Sequence, residues 1–191
     1  MNHIRLEKKG LRGLAIAESF KENGHMSVLA GIVMRRDFVI DGFVFGKATL
    51  EGDDATDAII SMYEKLARLD ISFILISGLI ISMYNIIDIK KLQKKLMMPI
   101  IGVTYEESDG IEDAIKHHFP NSFESKMMQY RKLGPRTKTS LHTKHEIYLR
   151  IEGCETKEAK KLLDAFTLQG AIPEPLRVAQ LLAKAELDRG Q

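Results

Sequence analysis

Apolar residues dominate three stretches near the start of the chain: Leu11 to Ser19, Met26 to Met34, and Phe38 to Thr49. Enrichment in Val, Ile, Leu and Phe over runs of this length predicts strands. Asn23-Gly24 in the first gap is a strong hairpin signal, and the second gap holds only Arg35, Arg36 and Asp37, so the three predict an antiparallel meander. After Gly52 the period changes. Asp54 stands where an N-cap belongs, ahead of Ala58, Ile59, Met62 and Leu66, whose spacing of three and four places them on one helical stripe. Ile71 to Ile76 is a short unbroken β-rich run, the pattern of a strand covered on both faces. Asp88 to Leu96 predicts a second helix and Pro99 to Thr104 another buried strand. Strand, helix, strand, helix at these lengths implies parallel pairing through right-handed crossovers. The pattern therefore predicts an α/β fold: a mixed sheet of three antiparallel strands followed by parallel βα units, with helices on its faces.

Beyond Glu106 helices are expected over Gly110 to Phe119 and Ser122 to Leu133, and alternation in Ile147, Leu149 and Ile151 predicts a strand over Lys144 to Ile151. Thr156 to Gln169 reads as an amphipathic helix through Ala159, Leu162, Leu163 and Phe166, stopped by Gly170. Pro173 and Pro175 introduce a last helix, with Val178, Leu181, Leu182 and Ala185 on its apolar face. A chain of 191 residues, 45% apolar and 28% charged, suits one compact domain spanning 1–191.

Composition narrows the setting. The net charge of +2 points to neither a polyanion coat nor an acidic disordered chain. A single cysteine, Cys154, excludes an internal disulfide and a cysteine-built zinc site, which favours a reducing, cytoplasmic setting. The longest apolar run, Ile71 to Ile87, is broken by Ser72, Ser77, Gly78, Ser82, Tyr84 and Asn85. It falls short of the roughly 20 residues that a bilayer span needs, so no membrane partner is expected. The first ten residues lack the apolar core of a signal peptide. Charge is nonetheless uneven. Residues 101–125 carry six acids against Lys116, a net of −5, and residues 126–150 carry seven Lys or Arg against Glu146, a net of +6. The basic block, with Arg131, Lys132 and Arg136 at its centre, is either a phosphate-contacting surface or a solvated face.

Candidate chemistry is carboxylate chemistry. Glu18 ends a strand on the face of Leu14 and Ile16, where a carboxylate is either wet or else paired, protonated or bound to a cation. Asp41-Gly42 reads as a bulge rather than a ligand position. Asp53 and Asp54 occupy a strand-to-helix junction that suits either two hard oxygen donors or an N-cap with a first-turn acid. Glu18 and this acidic turn together are more informative than either alone, because phosphoryl transfer on nucleic acid commonly gathers carboxylates around magnesium. The six histidines, His117-His118 and His142 with His145 among them, have no zinc-site spacing, and Cys154 reads as a packing residue.

The segments LRGLAIAESF, VIDGFVFGKATLEGDDATDAI, FILISGLIISMYNIIDI and IPEPLRVAQLLAKA resemble a mainly archaeal family named endonuclease dU. The similarity covers almost the whole chain, and the order of elements resembles the more distant endonuclease V. This resemblance implies a ribonuclease H-like fold and a nuclease dependent on Mg²⁺ (or Mn²⁺) that acts on DNA beside deaminated bases, with deoxyuridine as the target. It also implies that Glu18 takes the first-strand position where endonuclease V-like enzymes place an Asp metal ligand, and that Asp53 or Asp54 supplies the middle carboxylate. Ser77-Gly78 falls where the relatives read Asp-Gly, and a serine hydroxyl is a poor substitute for an anionic ligand. Asp88 either enters the site or caps the helix that follows it.

The expected function is thus a metal-dependent DNA endonuclease, with Glu18, Asp53 and Asp54 as catalytic and metal-holding residues. The alternatives are a nuclease-like nucleic-acid-binding protein without turnover, in which Ser77 marks a lost ligand, and a small-molecule binder at the mouth of the parallel strands. DNA is the expected partner, and a homo-oligomer stays open. Glu18, the Asp53-Asp54 turn and Ser77 are expected to converge at one end of a mixed five-stranded sheet.

Overall fold

The computed structural model describes residue 8 and residues 10–190, so most of the N-terminal stretch expected to hold no signal peptide lies outside the described residues. The meander forms as expected from β1 (Arg12–Ser19), β2 (Met26–Arg35) and β3 (Ile40–Thr49), followed by α1 (Ala55–Leu66) and β4 (Ile71–Ser77). Two short strands, β5 (Ile80–Ile81) and β6 (Asn85–Ile86), precede α2 (Ile89–Leu96) and β7 (Ile100–Thr104). The remainder is α3 (Glu112–His118), α4 (Phe123–Lys132), β8 (Thr137–Ser140), β9 (Glu146–Glu152), α5 (Thr156–Phe166) and α6 (Glu174–Arg189).

The main sheet has seven strands rather than five, in the order β3-β2-β1-β4-β7-β9-β8. β1, β4 and β7 run parallel, and the other neighbours pair antiparallel. The expected strand at Lys144 begins at Glu146, because Lys144 sits in the left-handed region (φ 66°) at the β8–β9 turn. β8 was not expected. Its TKTS sequence is polar and largely exposed, as an edge strand tolerates.

Strand alternation sends successive side chains to two cores. Leu14, Ile16, Ile74 and Ile76 join Ile59, Met62 and Leu92 beneath α1 and α2. Ala15, Ala17, Phe73, Leu75 and Val103 join Leu162, Phe166, Leu176 and Ala179 beneath α5 and α6. Two glycines make close approaches feasible. A Cβ on Gly46 would lie 2.6 Å from the Met62 sulfur of α1, and one on Gly13 would lie 2.2 Å from the Phe73 ring. Asp41 is the bulged residue, since the β2–β3 register jumps from Val33↔Gly42 to Met34↔Ile40. Its carboxylate takes Arg12 at 2.7 Å and Arg68 at 3.1 Å, at the end of β1 remote from Glu18. Among the described residues, no helix is long and apolar enough to cross a membrane.

Candidate functional site

β3 runs in the direction of β1 and β4, so Glu18, Thr49 and Ser77 all arrive at one edge of the sheet. The connections after these strands gather there as well. Glu18 shares the face of Leu14 and Ile16, and its half-buried carboxylate accepts the Ser82 N–H at 2.8 and 2.9 Å and the Ser82 hydroxyl at 2.7 Å. Ser82 is fully buried, and its Oγ lies 2.6 Å from that of Ser27. With the Ser82 proton directed to the carboxylate, Ser27 donates to Ser82, and the two hydroxyls form a relay ending on Glu18. Burial pushes the Glu18 pKa up, and the Ser82 and Ser27 hydrogen bonds offset this only in part. Among the described residues no Lys, Arg or His forms an ion pair with it.

Ser82 belongs to a turn in which three consecutive residues, Ser82, Met83 and Tyr84, adopt positive φ of 48°, 53° and 72°. Each non-glycine residue in this region costs about 1–2 kcal/mol, so such a turn persists only when its surroundings fix it. Here they do. The Ser82 carbonyl accepts from Glu51 N at 2.8 Å, the Tyr84 carbonyl from Lys126 Nζ at 3.2 Å, and Asn85 is fully buried beyond it. Asn85 Nδ2 donates to Thr49 O at 2.9 Å and to Asp54 Oδ1 at 2.7 Å, while its Oδ1 accepts from Ala55 N at 3.1 Å.

Asp54 occupies the N-cap position of α1 but makes no side-chain cap, and the first helical N–H is taken by Asn85. The Asp54 carboxylate instead accepts from Thr49 N at 3.0 Å and Thr49 Oγ1 at 2.7 Å. Burial alone would raise its pKa, but the Thr49 and Asn85 hydrogen bonds prevail and hold it below the usual range. Asp53 points elsewhere. It is 61% exposed and pairs with Lys126 Nζ at 2.7 Å and Gln129 Nε2 at 3.0 Å, which overcome a burial effect and keep its pKa low. Lys126 is 4% exposed, donates also to Gly52 O at 2.7 Å and lies 5.1 Å from the Phe119 ring.

Ser77 reaches the same sheet edge on the opposite face. It alternates with Phe73 and Leu75 toward the α5–α6 core, and its hydroxyl accepts from Gln180 Nε2 of α6 at 2.9 Å. Ser77 therefore lies at the expected end of the sheet but faces away from Glu18, because strand side chains alternate with a period of two. The neighbouring Tyr105 hydroxyl is buried beside that of Ser77; burial pushes its pKa up, and Ser77 offsets this only in part. Asp88 caps α2 by accepting Lys91 N at 2.9 Å. Arg131 and Lys132 are exposed at the end of α4, whereas Arg136 is tied down: it donates to Glu106 O at 3.0 Å and Ser108 O at 2.8 Å and lies over the Tyr148 ring at 4.9 Å. Cys154 packs against the second core, and burial lifts its thiol to about 11.

Sequence reasoning passed over Ser27, Ser82, Asn85 and Lys126. Ser82 and Asn85 were visible only as polar interruptions of an apolar run, and Lys126 only as one charge in a basic block. Among the described residues no group of three or more His, Cys, Asp or Glu gathers in a metal-holding arrangement. The arrangement offers hard carboxylate oxygens from two independently fixed side chains, Glu18 and Asp54, joined through the 82–85 turn.

The endonuclease dU family model matches residues 9–186. The chain belongs to the endonuclease dU family. A UPF0215 protein of Pyrobaculum calidifontis is 36% identical over 171 residues, covering 89% of this chain and 93% of that protein. A crystal structure of a protein of unknown function from Archaeoglobus fulgidus superposes with a TM-score of 0.79 at 25% identity, covering 93% of this chain and 98% of that one. Endonuclease V from Ciona intestinalis, in complex with DNA containing an inosine followed by a ribo-adenosine, superposes with a TM-score of 0.63 at 16% identity, covering 97% of this chain and 89% of that one. The family's fold is thus the ribonuclease H-like α/β fold. Membership in the family and this shared fold support a nuclease-like function.

Proposed function

We propose that the chain is a metal-dependent endonuclease acting on DNA near deaminated bases, deoxyuridine first among them. The observation that carries this reading is Glu18: a carboxylate lodged at the mouth of the parallel strands, supplied with hydroxyl and amide donors but, among the described residues, with no protein cation. An anion in that position suits a cation arriving from outside. Mg²⁺ or Mn²⁺ takes one or two protein carboxylates and completes its shell with water and substrate phosphate, and Glu18 and Asp54 would supply those carboxylates. Asp53, expected as a further ligand, is occupied by Lys126 and serves to fix the 52–54 turn. When bound, the ion supplies polarisation of the scissile phosphate and activation of water. The chain's own residues do the positioning: Ser27 and Ser82 orient Glu18, Thr49 and Asn85 orient Asp54, and Lys126 pins both turns.

A second reading has its own observation. Ser77 is engaged by Gln180 and supplies no anion, which favours a nucleic-acid-binding protein without turnover. Cleavage of labelled strands carrying deoxyuridine, deoxyinosine or no lesion, with Mg²⁺, Mn²⁺ or a chelator, separates the two. We expect metal-dependent cutting of the deoxyuridine strand, lost in Glu18→Gln and Asp54→Asn. Binding without cutting under every metal condition would support the second reading and overturn the first.

A further inference from the structure

The α2 sequence IKKLQKKL buries Ile89 and Leu92 and leaves Lys90, Lys91, Lys94 and Lys95 exposed. Two of these lysines are used internally. Lys91 pairs with Asp57 at 2.6 Å and Lys95 with Glu64 at 3.7 Å, clipping α2 to α1. Lys90 and Lys94 lie one turn apart on α2, and Lys132 ends α4; no carboxylate among the described residues lies within ion-pair distance of these three. All three line one groove of about 1000 Å³. Its acids are accounted for, since Asp57 and Glu64 are the paired ones and Asp88 caps α2. The groove adjoins a smaller cavity of about 220 Å³ lined by Asp53, Gln129 and again Lys132, so the lysines of α2 and Asp53 of the acidic turn line neighbouring depressions.

We propose that Lys90, Lys94 and Lys132 form a track for the phosphodiester backbone of DNA beside the candidate site. The inference rests on the nuclease reading and adds a surface to it. Lys90 and Lys94 are about 6 Å apart along the helix axis, close to two nucleotide rises of roughly 3.4 Å along one strand. Ammonium groups on flexible stems act as point charges toward phosphate and carry no base preference. The track therefore holds any sequence, and discrimination of a lesion belongs to the site itself.

The test is binding of a short duplex, with and without one deoxyuridine, titrated between about 50 and 200 mM salt. Lys90→Gln, Lys94→Gln and Lys132→Gln are combined in one variant. A control variant carries Lys157→Gln, Lys161→Gln and Lys184→Gln, the same charge change on the exposed surfaces of α5 and α6. We expect the α2–α4 variant to bind both duplexes roughly tenfold or more weakly and to lower the salt slope by about 2 to 3, at about 0.9 for each phosphate that is no longer neutralised. The preference between duplexes stays unchanged, as does the melting temperature. Wild type that binds and cuts, with affinity and slope unaltered in the variant or equally reduced in the control, would overturn the track alone. Wild type that binds no DNA would overturn the track together with the nuclease reading.

Discussion

Glu18 carries an electrostatic cost in the fold. Its pKa in the fold lies above the ordinary value of 4.5 because burial penalises the charged form. Below 4.5 the side chain is protonated in both states and costs nothing; as pH rises the unfolded chain ionises first, so the fold loses stability until the raised pKa is passed. Glu18→Gln removes this penalty while keeping a donor-acceptor pattern that works. The amide oxygen accepts from Ser82 N, and the amide N–H groups donate to a Ser82 hydroxyl turned toward Ser27. In a chelator at pH 7 the variant is expected to melt about 2–4 °C above wild type, which corresponds to about 1 kcal/mol for a chain of this size. At pH 4 the two should melt together. Thermal melts at both pH values check it, and a variant less stable than wild type at pH 7 would show that the carboxylate itself holds the 82–84 turn. The sequence made Glu18 visible because a carboxylate ended an apolar strand. It left the choice between a wet and a buried side chain open, because Ser82 lies 64 positions away in the chain.

At the scale of elements, β1 and β4 form the centre on which the candidate site is built, and their contact depends on one missing side chain. Gly13 pairs in register with Phe73, whose ring occupies the space of a Cβ and packs on Phe166 at a centroid distance of 5.4 Å. Gly13→Ala is expected to cost about 1–3 kcal/mol through overpacking. Phe73→Leu leaves a cavity and costs a similar amount alone, but it makes room for the new methyl group. The double variant should therefore lose less than the two single losses added, by about 1 kcal/mol, in a urea-unfolding cycle. Strict additivity would show that the ring has another place to go. The elements the sequence revealed are those whose period is long enough to repeat: the meander, α1, β4, α2, β7, α3, α4, β9, α5 and α6. The two-residue strands β5 and β6 were hidden in an apolar run, because what shapes them is the hydrogen bonding of Ser82 and Asn85 and not a repeat. Ser77 was placed at the correct sheet edge, but its face followed only once the register of β4 against β1 was known.

For the molecule as a whole, the net charge of +2 conceals how the fold redistributes a basic stretch that looked like one patch. Lys126 is buried in the candidate site, Lys138 pairs with Glu146 at 2.8 Å, and Arg136 donates to the carbonyls of Glu106 and Ser108 in the acidic loop after β7. Only Arg131 and Lys132, of the three residues expected to touch DNA, stand exposed and adjacent at the end of α4, and Lys132 lines both the α2 groove and the cavity that Asp53 lines. Position in space therefore assigns the two groups opposite effects. Arg136→Gln should cost about 1 kcal/mol of folding stability, from two hydrogen bonds and an aromatic contact at the surface, and leave the salt slope of DNA binding as it is in wild type. Arg131→Gln with Lys132→Gln should leave the urea midpoint unchanged and lower that slope by about 1 to 2. Measuring both properties for both variants keeps stability and affinity apart. A fall in salt slope with Arg136→Gln, at unchanged stability, would mean that this arginine leaves the 106–108 loop to meet phosphate, and the basic stretch would then act as the single surface that its sequence suggests.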